Sequence, residues 1–169
     1  MSNTPLGNYP VYVQRYIDQV PENDLFEAFK NQLPIITNLL NEIDEEKSGY
    51  AYDTGKWTLK ELLQHCTDAE RIFCYRALSF ARKDKSPLPG FEENDYALNS
   101  NANRRTWESL KEEFLTVRRT TEMLFESFTP DALAASGTAN NNESSVISIG
   151  FLTIGHVYHH IKVIKERYL

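Results

Sequence analysis

The sequence predicts an all-α fold, a four-helix bundle with a long crossover between its second and third helices and a short helix ahead of the first. Three observations carry this prediction. Four long segments repeat apolar residues at helical spacing, no run of alternating residues is long enough to compete as a strand, and residues 83–103 form an extended connection with two prolines and a glycine. With 169 residues, 41% hydrophobic and 12% aromatic, the chain suits a single domain over residues 1–169 with a core of its own.

Residues 1–21 read as an aromatic-rich lead-in, in which Pro10 suits the first turn of a short helix carrying Val11, Val13, Tyr16 and Ile17. The first long helix spans residues 23–43, with Leu25, Phe29, Leu33, Ile36 and Leu40 on one face and Pro34 as a kink. Residues 45–55 are a polar connection. The second long helix covers residues 58–82 and opens with Thr58 and Glu61, a capping box in which each side chain satisfies the other residue's free backbone N–H. Residues 83–103 are too punctuated for a helix and too long for a tight turn, but long enough to run back along a bundle; the second and third helices are then parallel. The third helix, residues 106–128, turns Leu110, Phe114, Val117, Thr121 and Leu124 inward. After the polar break GTANNNESS, Ser145 caps the fourth long helix, which runs to residue 169 with Lys165 and Arg167 favourable to its dipole.

All four histidines fall in two of these helices, His65 in the second and His156, His159 and His160 in the fourth. Residues four apart on a helix lie one turn above each other, so His156 and His160 offer two imidazoles to one point, and His65 can supply a third. Three neutral imidazoles suit a divalent ion and leave a position for water or substrate. The stripe of Ile149, Leu152, His156, His160 and Val163 is otherwise apolar, so the rings point inward, where an unsatisfied polar group costs roughly 1–3 kcal/mol. An H-x-x-x-H pair alone is a weak signal, more often surface or core decoration than ligands. His159 also faces inward and competes for the role, but the four-residue spacing favours His156 with His160. Asp68, three residues after His65, is the candidate catalytic group as orienting partner or proton acceptor; alternatively it pairs with Arg71 or Arg76 on its own helix. Glu70 reads as a member of an ion pair within the bundle.

Composition and missing motifs narrow the classes. A net charge of −6 without a dense basic cluster argues against nucleic-acid or membrane partners. No secretory signal and no apolar stretch of about 20 residues appears, so a soluble, cytoplasmic protein is expected. Cys66 and Cys74, about 12 Å apart along one helix, cannot pair, and Cys66 points away from His65 as a small core residue. There is no Glu-x-x-His for a di-iron site, and no HExxH, GxSxG, Walker or GxGxxG motif.

The run GKWTLKELLQHCTDAERIFCYRALSFARKDKSPLPGFEENDY, followed by GTANNNESSVISIGFLTIGHVYHHIKVIKERYL, resembles the DinB-like superfamily of metal-binding four-helix bundles. The likeness covers residues 24–169 and is strongest at W-[ST]-x-x-E-x-x-x-H and at G-H-x-x-H-H. It implies metal ligands at His65, His156 and His160, parallel second and third helices, and a homodimer. It does not imply one activity, since the superfamily includes metal-dependent hydrolases as well as thiol-dependent transferases and isomerases. A hydrolase acting on an unidentified small molecule through a three-histidine metal centre is the leading expectation. A thiol-dependent transferase using a low-molecular-weight thiol and a non-catalytic metal-binding or structural bundle are the alternatives. Nickel or zinc is the expected ion, with iron and manganese also compatible. Pro89, Gly90, Phe91 and Tyr96 of the crossover are expected at the mouth of the metal pocket, because long ordered loops in compact domains are usually functional.

Overall fold

The computed structural model describes residues 6–169; the first five residues of the predicted lead-in lie outside the described residues. A 3-10 turn, Val11–Val13, leads into a single helical turn, α1, Gln14–Ile17. The four long helices are α2, Leu25–Asn41, α4, Leu59–Ala81, α6, Trp107–Glu126, and α8, Val146–Val163. Each starts where a side chain can take up free backbone N–H groups: Asp24, Thr58, Thr106 and Ser145 all accept bonds from the first turn, and Thr58 with Glu61 forms the complete capping box. Past Val163 the backbone widens into a π-helical turn, Ile164–Tyr168, anchored where Tyr168 Oη donates to the carbonyl of Trp57 at 2.7 Å.

Cross-helix partners give the helix directions. Arg71, Glu70 and Cys74 of α4 meet Glu113, Arg118 and Thr121 of α6, so both helices advance together and are parallel. Against α8 the order reverses, with Trp57 beside Tyr168 and Phe73 beside His156. A parallel pair needs a long return, and the crossover supplies it.

Three polar connections hold more structure than their composition announces. Residues 45–55 contain a helical turn, α3, Glu45–Ser48, capped by Asp44. The crossover contains α5, Glu93–Asn99, and a 3-10 turn, Ala102–Arg104, contrary to the expectation of no helix there; its prolines and glycine all precede residue 91, leaving residues 93–99 free of breakers. Before α8 come a short helix, α7, Pro130–Ala134, and an antiparallel hairpin of β1, Ser136–Ala139, and β2, Asn142–Ser145. Its two-residue turn puts both Asn140 and Asn141 at positive φ, which asparagine tolerates. Strands were not expected because this hairpin lacks an apolar alternation; other segments pin it. Leu88 of the crossover exchanges backbone bonds with Thr138 and Asn140, and Ser145 N–H donates to the carbonyl of Asn8.

The core falls into two apolar clusters. One gathers Phe29, Phe73, Phe80, Phe125 and Ile154; the other Leu40, Leu63, Trp107, Phe114 and Ile161. Between them each long helix contributes a buried polar residue: Gln32 from α2, His65 and Glu70 from α4, Arg118 from α6 and His156 from α8. Arg118 donates from Nε and Nη2 to the two oxygens of Glu70 at 2.9 and 2.8 Å and from Nη1 to Gln32 at 2.7 Å, while Gln32 donates to the carbonyl of Ile154. One fully buried network therefore ties all four helices at mid-height.

Glycine is required where α1 crosses α8. A Cβ at Gly155 would lie 2.1 Å from the carbonyl oxygen of Tyr16, a backbone atom that cannot rotate aside. Gly155→Ala is expected to lift α1 from the bundle and to destabilise the protein by about 1–3 kcal/mol, the usual cost of overpacking, measured as a lower urea midpoint. An unchanged midpoint would show that α1 yields freely.

Candidate metal centre

The capping box fixes the start of α4 so that His65 comes two turns in, facing α8. His156 and His160 occupy successive turns of α8. The structure brings these three together and leaves His159 aside: Nε2 of His156 lies 3.1 Å from Nε2 of His65 and 3.1 Å from Nε2 of His160, and all three donor atoms lie within 4.8 Å of one another. Two nitrogens bound to one tetrahedral zinc at 2.0–2.1 Å are about 3.3 Å apart, so the spacing fits a shared ion. Mutual hydrogen bonding accounts for it less well, because His156 Nε2 has either one proton to donate or one lone pair to accept with, and so makes a full hydrogen bond to only one of its two neighbours.

Burial sets the protonation state. Desolvation holds His65 down to about 4, and it lowers His156 and His160 well below the ordinary histidine range, with the neighbouring imidazoles adding to the effect. All three rings are therefore neutral at neutral pH, the form that ligates. Aromatic packing orients them: Trp57 lies 4.8 Å from His65 between ring centroids, and Phe73 and Tyr16 lie 5.8 and 5.7 Å from His156. His160 Nδ1 is buried with no hydrogen-bond partner, and its ring is held edge-on by the other histidines. His159 packs edge-on against Tyr16 at 5.4 Å, a half-buried contact on the rim.

Asp68 is not among the residues whose ligand atoms converge. Its carboxylate accepts from Gln64 Nε2 at 2.9 Å and lies 3.7 Å from Arg71, both on its own helix, and Arg71 pairs in turn with Glu113 of α6. Of its two sequence readings, the ion pair with Arg71 forms. Burial raises its carboxyl, against the pull of Gln64 and Arg71. Glu70 lies in the buried ion pair with Arg118, as its sequence reading held. Cys66 is buried, its thiol pushed up by desolvation, and both cysteines are free.

His65 and His156 open onto a cavity of about 200 Å³ whose walls come from five separate segments. Tyr12, Arg15 and Tyr16 come from the lead-in, Phe73 and Arg76 from α4, Gly90, Phe91 and Glu93 from the crossover, Asn140 from the hairpin turn and Leu152 from α8. Phe91 and Gly90 thus sit at the mouth as expected, and Pro89 accepts a bond from Arg76 through its carbonyl. Tyr96 lies one layer out, against Phe91 at 5.1 Å. The crossover and the hairpin turn approach closely at Gly90, where a Cβ would lie 2.4 Å from Asn140 Oδ1 and oblige that side chain to turn aside. The lead-in, Arg76 and the hairpin were missed as wall elements; for Arg76 the available signal was its place three turns after His65 on one helical face. His160 faces a second opening, beside Trp57, Asn94 and Tyr168.

Residues 28–164 match the sequence model of the DinB superfamily. The chain belongs to that superfamily. A protein of Oceanobacillus iheyensis, provisionally named a metal-dependent hydrolase, is 29% identical over 164 residues, covering 87% of this chain and 89% of that protein. Among solved structures, YfiT from Bacillus subtilis, described as having an unusual four-helix bundle topology, superimposes with a TM-score of 0.64 at 13% identity, covering 96% of this chain and 89% of YfiT. The latter likeness shows that the chain shares the four-helix bundle fold of YfiT. Among the described residues no helix is long and apolar enough to cross a membrane.

Proposed function

We propose that this protein is a divalent-metal-dependent hydrolase whose ion is held by Nε2 of His65, His156 and His160. The convergence of these three buried nitrogens is the observation that carries the reading. The provisional name of the Oceanobacillus relative supports it. Held by three imidazoles, a divalent ion would keep one position open and would supply Lewis-acid activation of water there at neutral pH. The chain's own part is to keep the rings neutral by burial, to fix their planes with Trp57, Phe73 and Tyr16, and to limit water with the Phe91 wall. Asp68 is engaged by Gln64 and Arg71 and does not line the cavity, whose wall carries the carboxylate of Glu93.

Untagged protein purified without chelator should carry about one first-row metal per chain. It should also hydrolyse a member of an ester, amide and phosphoester panel in a way that chelation stops and metal restores. Metal-free protein that takes up no ion on dialysis would overturn the proposal.

Acid should weaken the metal-free fold. In the unfolded chain histidine titrates near 6.5, whereas His65 titrates at about 4 when folded, so below 6.5 the unfolded state binds the extra proton. Stability is full above 6.5 and falls as pH drops toward 4. His65 alone accounts for about 2 kcal/mol between pH 7 and pH 5, and His156 and His160 add in the same direction. Urea titrations of metal-free protein across that window check this, and a flat profile would contradict it.

A further inference from the structure

The chain carries a net charge of −6, yet the cavity beside the histidines is lined by two guanidinium groups, Arg15 and Arg76. Glu93 also lines this cavity, but among the described residues no carboxylate lies within ion-pair distance of either guanidinium, although most other arginines around the bundle pair with acids. Arg76 is half-buried and makes one hydrogen bond, from Nη2 to the carbonyl of Pro89 at 2.9 Å, leaving most of its donors without a protein acceptor. A partly desolvated, uncompensated cation is costly to keep, and desolvation lowers the Arg76 pKa accordingly. Arg15 lies over the Tyr16 ring, its Nη2 donating to Tyr16 Oη at 2.8 Å, which holds it at the wall.

The placement along α4 adds length to charge. His65, Ala69, Phe73 and Arg76 recur at helical spacing and together line one side of the cavity. Arg76 is eleven residues after His65, about 16 Å along the axis, with the small side chain of Ala69 between them. The cavity thus has a reactive end and a cationic end.

Building on the proposed metal centre, we propose that the substrate is an elongated monoanion, its carboxylate bound by Arg76 with support from Arg15 and its hydrolysable bond presented at the histidines. Guanidinium matches a carboxylate in shape and charge, and one half-buried cation balances one negative charge. Phe73 and Phe91 contact the apolar stem between the two ends.

Cobalt-loaded protein provides the test, with suberic acid monohydroxamate as probe and its terminal amide as uncharged control, since the hydroxamate ligates the ion and perturbs its visible spectrum. Wild type is expected to bind the acid about tenfold more tightly than the amide, the range of a charge-assisted hydrogen bond. Arg76→Gln should reduce that preference to under about twofold, Arg76→Lys should keep part of it, and Arg15→Gln should lower it less. Equal affinities in wild type, or a full preference retained in Arg76→Gln, would overturn the anion site. A second measurement needs no metal: suberate titrated into metal-free protein should shift the Arg76 Nε–H resonance. If cobalt does not bind at all, the metal reading fails and this resonance alone decides, a shift upholding the anion site and its absence removing it.

Discussion

Alanine at His65, His156 or His160 is expected to abolish stoichiometric metal binding, while alanine at His159 leaves about one ion per chain. Each of the three supplies one nitrogen to a cluster in which, among the described residues, no other ligand atom converges, so a lost ligand has no substitute already in place. His159 touches the cluster only through ring packing with His160 and Tyr16, and loss of a supporting contact of that kind weakens affinity by about 10–100-fold without removing it. The same comparison extends to stability. A metal that binds only the folded state adds about 2.7 kcal/mol when free ion exceeds its dissociation constant a hundredfold, and the three triad variants should lose this increment. Elemental analysis and thermal midpoints with and without metal, measured on all four variants, give both readouts. Equal occupancy in wild type and His65→Ala would remove the site that joins α4 to α8.

The second large effect is expected far from any ligand. Arg118→Ala or Glu70→Ala should each destabilise the protein by about 3–5 kcal/mol, because truncating one partner strands the other as an unpaired buried charge. For a domain whose total stability is about 5–15 kcal/mol, either change removes a large share. Arg118 carries the greater expected loss, since its removal also leaves the Gln32 side-chain oxygen without a donor. Replacing both charges together by Met should recover much of the loss, since apolar residues of similar volume can replace a buried pair at little cost. Urea denaturation of the singles and the double measures the coupling. A loss below about 1 kcal/mol for Arg118→Ala would show that water reaches Glu70.

The four long helices were legible because their starts are written locally. Asp24, Thr58, Thr106 and Ser145 cap through bonds made within three residues, and the apolar spacing that follows needs no partner to be recognised. The histidine cluster was legible for a similar reason, since helical spacing alone aligns His156 with His160. Asp68 was ambiguous because its neighbours on α4 offer two futures for its carboxylate, and the placement of Gln64 and of Arg71, itself paired with Glu113 of α6, favours the ion pair. Arg118 and Gln32 gave no signal, since a polar residue at an inward position declares its partner only once the other helices are placed. The hairpin was hidden by polarity; its Asn140–Asn141 turn holds through backbone bonds to Leu88 and Asn8, segments far away in sequence.

That tie between Asn8 and Ser145 bears on when the cavity can come into being. Closing so wide a loop is slow, because the chain entropy must be lost before the contacts repay it. Synthesis runs from the amino end, so a chain still on the ribosome and halted before residue 145 has one imidazole of the three and lacks the Ser145 N–H that pairs with the backbone of Asn8. The lead-in, the crossover and the hairpin turn then have nothing to close over. An ion held by all three imidazoles would therefore load only after α8 has docked, which would make metal occupancy a probe of that step of assembly.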